Sequence, residues 1–179
     1  DANGVAAHLL GIIVSGGDNQ AIADAIYSKK NPGCGLSFLG SDAAYHVTQS
    51  VTSPITNNQM NISFSRPEPV TIYLTANISD DGTLPTDADV LISKAIVDYT
   101  RGATEYTLGF RKNGFNIGDD VIFSSLYTPV NQILGSFGAS FVTSITIGKV
   151  SGSQASANIV IAPFELSVFS ELTNSIVIT

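Results

Sequence analysis

Phe64-Ser65-Arg66-Pro67-Glu68-Pro69-Val70-Thr71-Ile72-Tyr73-Leu74-Thr75-Ala76-Asn77-Ile78 is the stretch on which the fold turns. Successive side chains of a strand point to opposite faces, so from residue 70 onward the letters sort themselves. Val70, Ile72, Leu74, Ala76 and Ile78 share one face, and Thr71, Tyr73, Thr75 and Asn77 share the other. Just before this strand, Pro67 and Pro69 remove two ladder donors. Arg66-Pro67-Glu68-Pro69 is therefore expected to interrupt pairing. The boundary between two lobes is placed here, giving domains 1–66 and 67–179.

Working outward toward the N-terminus, Met60, Ile62 and Phe64 alternate with Asn61, Ser63 and Ser65. Tyr45, Val47 and Val51 likewise alternate with His46, Thr48, Ser50 and Thr52, and residues 54–58 connect the two runs. This predicts a β-hairpin with one apolar and one polar face. Residues 5–14 are apolar almost throughout and are expected to form a buried strand or strand pair. Gly16-Gly17 breaks that run, and Asp18 is placed to cap a helix over 19–30 by accepting its free N–H groups. Ala21, Ile22, Ala25 and Ile26 form its predicted apolar face. Lys29 and Lys30 complement the negative end of the helix dipole, and Asn31-Pro32-Gly33 stops the helix.

Toward the C-terminus, Asp80-Asp81-Gly82 predicts a turn. Thr86, with Asp89 three positions later, predicts the capped start of a helix through Ile92, Ala95, Ile96 and Tyr99 that Gly102 ends. Tyr106 to Phe110 reads as a short strand. A second helical stretch starts near Asp119-Asp120, with Ile122, Leu126 and Val130 in step. Pro129 either kinks it or opens a fresh turn capped by Thr128, and Gly135 closes it. Strands follow over 141–147, 158–161, 164–168 and 175–178, with residues 148–156 as a polar hairpin tip. The expected class is α+β: two lobes, each a mostly antiparallel sheet with helices packed on one face.

A chain of 179 residues can bury roughly 70% of its unfolded surface, so it needs neither metal nor disulfide to be stable. Hydrophobic residues at 44% and charged residues at 13% describe a packed domain rather than a disordered one. Lys+Arg 8 against Asp+Glu 15 leaves a net charge of −7. Binding to DNA or RNA requires a basic surface to neutralise phosphates. The basic residues here are few and scattered: Lys29-Lys30, Arg66, Lys94, Arg101, Arg111-Lys112 and Lys149. No nucleic-acid partner is expected. Cys34 is the single cysteine, which excludes an internal disulfide and a cysteine-built zinc site. The sequence shows no membrane-spanning run. It begins at Asp1 without a signal peptide and is expected to be the C-terminal part of a longer protein.

The chemistry-bearing residues each have a structural reading that outweighs the catalytic one. Nucleophilic catalysis requires a base beside Ser or Cys. Of the two histidines, His46 lies on the polar face of its strand and reads as solvated, while His8 shares a parity with Leu10, Ile12 and Val14 and reads as a core or boundary residue. Cys34 has no cationic neighbour in sequence beyond Lys29 and Lys30. Ser15-Gly16-Gly17-Asp18 sits between strand and helix as phosphate loops do. It lacks their further glycine or Gly-Lys-Ser/Thr, and Asp18 would repel a phosphate. Asp80-Asp81-Gly82-Thr83 with Asp87 and Asp89 has the oxygen ligands calcium prefers but not the EF-hand spacing, and turn and cap chemistry explains the same letters. The remaining carboxylates lie mostly in turns and helix starts, with no tryptophan to stack on a sugar. No catalytic, cofactor-binding or metal-binding residue is assigned, no small-molecule substrate is expected, and the chain is expected not to be an enzyme.

Several of these segments, in this order, resemble the baseplate J-like family, the wedge proteins of contractile phage tails and related injection systems. They are Gly16-Gly17-Asp18 with Ala21-Ile22-Ala23 and Ile26, then Lys29-Lys30 with Pro32-Gly33, then Phe64, Arg66-Pro67, Val70 and Ile72-Tyr73. The likeness continues through Ala95-Ile96 and Tyr99, Ile117-Gly118-Asp119-Asp120-Val121 with 124–127, Val142-Thr143-Ser144 to Ile147, Asn158-Ile159 with Ile161, and Glu165-Leu166. It spans most of residues 4–179. Residues 36–44 and the connection 102–115 depart from the family pattern. The resemblance implies a structural subunit that associates with itself and with other wedge or hub proteins, in the virion baseplate and in the host cytoplasm during assembly. It implies no cofactor and no membrane insertion. Strand edges between Phe164 and Thr179 are candidate docking sites by strand addition, with individual interface residues unassigned. A β-rich ligand-binding or adhesin module is the alternative. A stable monomer with a specific glycan hit would favour that reading.

Overall fold

Asp18 begins the first well-defined element. Its backbone is extended (φ −74°, ψ 139°), and its carboxylate accepts the Ala21 N–H at 3.0 Å, satisfying one of the donors a helix start leaves free. Helix α1 follows over Asn19–Lys29. The computed structural model describes residues 5–31, 33–102, 114–170 and 176–179. Pro32, the strand expected over 106–110 and Arg111-Lys112 lie outside the described residues. The chain divides into two units, Asp1–Glu68 with Pro163–Glu165, and Pro69–Ala162 with Leu166–Thr179.

In the first unit, β1 (Leu9–Gly11) pairs in parallel with β2 (Gly35–Ser37). β3 (His46–Thr52) and β4 (Gln59–Ser65) form the expected antiparallel hairpin, with Val47 opposite Phe64 and Val51 opposite Met60. Its core is small: Ala23, Val51, Ile62 and Phe64 are buried, with Ile12, Ile22, Ile26, Tyr27, Leu36 and Val47 packed around them. Three expectations are corrected here. Residues 5–14 are not a buried strand, since none of them is buried and the ladder is three residues long. The inward face of α1 is Ile22, Ala23, Ile26 and Tyr27, while Ala21 and Ala25 are exposed. Alternation in β4 also fails at its ends, where Met60 is 44% exposed and Ser65 is fully buried.

The second unit has the larger core. β5 (Glu68–Thr71) pairs with β8 (Glu165–Val168), and β6 (Tyr73–Ser79) lies between β7 (Phe141–Gly148) and β9 (Ile176–Ile178). Pro67 and Pro69 do not prevent pairing as expected. Pro69 lies inside β5, and the donors come from its neighbours, Glu68 N–H to Phe164 O at 2.9 Å and Ile72 N–H to Val168 O at 2.9 Å. β6 pairs antiparallel with β7 and parallel with β9. Ile72, Leu74 and Ala76 are fully buried, as their parity predicts. They pack with Ile92, Ile96, Val97 and Tyr99 of α2 (Ala88–Arg101), Val130 and Leu134 of α3 (Tyr127–Leu134), and Ile145 and Ile147 of β7.

Two helix starts differ from expectation. Asp87, not Thr86, is the N-cap of α2, and its side chain makes no cap bond. α3 grows out of a 3-10 turn over Phe123–Leu126, so Pro129 falls in its first turn, where its missing N–H costs no helical bond, and no Thr128 cap forms. Gly102 ends α2 at φ 74°, a left-handed conformation that glycine adopts without a Cβ penalty. The chain is α+β, and its pairing is mostly antiparallel.

Candidate functional site

Arg66 is the side chain around which the first unit's motifs assemble. Gly16 and Gly17 both take positive φ, 70° and 75°, so the strand-to-helix turn curls its carbonyls to one side. The guanidinium occupies the focus of that curl. Nη1 donates to Val14 O at 3.1 Å and to Gly16 O, and Nη2 donates to Gly17 O at 2.8 Å and to Asn19 Oδ1 at 2.5 Å. Its carbon lies 5.4 Å from the centre of the Phe64 ring, a cation–π distance. Only a planar fork with several donors can serve four acceptors at once.

Ser65, next in the chain, continues the same junction. Its N–H donates to Ile12 O at 2.9 Å, its carbonyl accepts Val14 N–H at 3.1 Å, and its Oγ accepts Leu39 N–H at 2.9 Å. Both backbone groups and the hydroxyl oxygen of this buried serine thus have partners. Gly16-Gly17-Asp18 and Phe64-Ser65-Arg66, two pieces of sequence some fifty residues apart, form one clasp. From the sequence, Arg66 marks the lobe boundary and forms part of the Arg66-Pro67 likeness, with no partner assigned to it. A lone arginine between a strand and a proline was the one signal that it has partners elsewhere. The turn also differs from a phosphate loop in polarity, because it offers carbonyl oxygens to a cation.

The other sequence candidates are not brought together. His46 is not solvated as its parity suggested. It is half-buried and stacked on Phe38, with ring centres 4.3 Å apart and planes 5° apart, and its Nε2 is buried without a hydrogen-bond partner among the described residues. His8 is exposed, not core, with φ 66°. Its carbonyl accepts the Gly35 N–H at 3.2 Å and the Cys34 thiol at 3.5 Å. Lys30 meets Cys34 through the carbonyl, not the sulfur. No nucleophile–base pair is built from these groups.

In the second unit, the aspartate turn forms a clasp of its own. Asp81 Oδ1 accepts the Thr83 N–H at 3.1 Å, the Thr83 hydroxyl at 2.5 Å and the Ser140 hydroxyl at 2.9 Å, while Oδ2 accepts the Ala139 N–H at 2.9 Å. Hydrogen bonds from Thr83, Ala139 and Ser140 favour the charged form and lower the Asp81 pKa to about 2. Asp80 accepts the Gly82 N–H at 2.8 Å and the Ser140 hydroxyl at 3.2 Å. The carboxylates thus point at protein donors. Among the described residues, no group of three or more His, Cys, Asp or Glu side chains is placed to hold a metal ion, and no helix is long and apolar enough to cross a membrane.

A scan against protein-family models finds no match to this chain, and a search of curated proteins finds none either.

Proposed function

We propose that this chain is the assembly portion of a wedge subunit in the baseplate of a contractile tail, working through contacts with copies of itself and with other wedge or hub proteins. Its place is the virion baseplate, and the host cytoplasm while the particle is built. The ordered resemblance along residues 4–179 is the origin of this reading. The observation that best supports it is the Arg66 clasp. Within the first half of the likeness, Arg66 is spent on the carbonyls of the Gly16-Gly17 turn and Asp18 on the Ala21 N–H, as expected of a motif that serves architecture. A charged content of only 13% is also compatible with a part whose faces are covered on assembly, since interface centres are depleted in charge.

The test is genetic and visual. Particles made without this subunit are examined by negative-stain microscopy and challenged to contract. Expected are tails lacking a closed baseplate and unable to contract, with both defects repaired when the subunit is supplied in trans. Complete, contraction-competent tails would overturn the proposal.

A further inference from the structure

Beside β1 and the last turns of α1, the first unit carries an open groove of about 290 Å³. Leu10, Ile12, Ala25 and Ile26 line it, and Lys29 and Lys30 complete it. Leu10 is 41% exposed there. Lys30 donates to the Asn31 and Cys34 carbonyls, which leaves its positive charge without a neutralising partner among the described residues. Lys29 is exposed and makes no salt bridge among the described residues. Carbon walls with two ammonium groups and no carboxylate suit a ligand that presents an apolar side chain with acidic neighbours.

The chain exposes a segment of that chemistry. Among its large exposed apolar residues, Val90 and Ile122 have carboxylates within three positions. At Ile122 the carboxylates are engaged, Asp119 by Asn116 and Asp120 by the Ile161 N–H. At Val90 they face outward. Val90 is 58% exposed, Asp87 and Asp89 are both exposed, Asp87 makes no cap bond, and Asp89 accepts the adjacent Val90 N–H. An N-cap aspartate that leaves its own helix uncapped has its charge available to a partner.

We propose that the groove of one copy receives the start of α2 from a second copy, Val90 lying against Leu10 and Ile26 while Asp87 and Asp89 face Lys29 and Lys30. Donor and acceptor surfaces differ, so the contact is heterologous and propagates from copy to copy into a ring or an open chain. The inference deepens the wedge reading by naming one self-contact, and its purpose rests on that reading.

Sedimentation velocity over a concentration series tests it on the chain as it stands. Lys29→Glu and Asp89→Lys, each alone, are expected to raise the concentration needed for association about tenfold, because each places like charges across the contact. The two together are expected to restore association, and added salt to weaken the unsubstituted chain. Ala25→Glu, on the exposed helix surface, is expected to block association while leaving the circular-dichroism spectrum unchanged. A chain that stays monomeric at every concentration, or single reversals that associate like the parent, would overturn the contact. Either result leaves the wedge reading to its own test in particles. Tails that assemble without the subunit, alongside an intact charge-swap rescue in solution, would sink the wedge reading alone.

Discussion

Arg66 in the first unit and Asp81 in the second do the same mechanical work with opposite charges. Each draws together segments distant in sequence, 47 to 52 residues apart for the arginine and 58 or 59 for the aspartate. The arginine gathers carbonyls, which requires a turn whose oxygens converge, and two left-handed glycines provide one. The aspartate gathers N–H and O–H donors, which the Thr83 turn and the two residues before β7 provide. The surroundings differ too. The Arg66 clasp lies over Phe64 in a core of four buried residues, so it forms a large part of what secures its unit. The Asp81 clasp lies at the exposed margin of a much larger core. The aspartate clasp depends on pH through its lowered pKa.

The largest test of that contrast removes the platform under the arginine. Phe64→Ala should cost the first unit about 4 kcal/mol, the usual scale for emptying a buried aromatic site, read from its transition in a denaturant titration. The same experiment on Arg66→Ala should show a loss of about 2 kcal/mol, since four hydrogen bonds from a charged donor are lost but their acceptors, on exposed or half-buried residues, can turn to water. Arg66→Lys should recover less than half of this, because one ammonium cannot span four acceptors. A loss within experimental error for Arg66→Ala would break the comparison. Gly17→Ala should cost about 1 kcal/mol through the left-handed backbone alone, with Cβ reaching no closer than 3.4 Å to Ile22 Cδ1.

The smallest effect belongs to Asp81 and depends on pH. Its folded pKa is lowered from 3.8 to about 2, so its contribution is present above the unfolded value and is lost as pH falls through the folded one. The stability advantage of the parent over Asp81→Asn should therefore be constant above about pH 4 and shrink toward pH 2. Parallel pH profiles for the two proteins across that window would show that the clasp contributes no stability.

Much of the secondary structure is legible locally. The hairpin and the helices after Asp18 and before Gly102 each repeat a period within a few residues, and the structure contains them, whereas the strand expected over 70–78 divides at Ile72 into β5 and β6, which lie in different sheets. Where the reading failed, the deciding group was far away in the chain. Ser65 looked outward by parity, yet Ile12, Val14 and Leu39 cover it. His46 looked solvated until Phe38 stacked on it. Pro69 looked like a strand breaker, but it sits where the ladder asks nothing of its nitrogen. Thr86 and Asp89 spelled a capping box that does not form, because the helix starts one residue later, at an Asp87 N-cap that makes no side-chain cap bond.

Alternation and composition are properties of neighbouring residues, and they were enough to determine the α+β class and most of the main strands and helices. Partnership across fifty residues is not encoded in any local pattern. Only the folded backbone decided that Arg66 would meet the Gly16-Gly17 turn, that β9 would lie parallel to β6, and that the groove at Leu10 and Lys29 would stay open. Hydrogen bonds and packing act at a few ångströms in space, and separation along the chain sets no limit on which groups come that close.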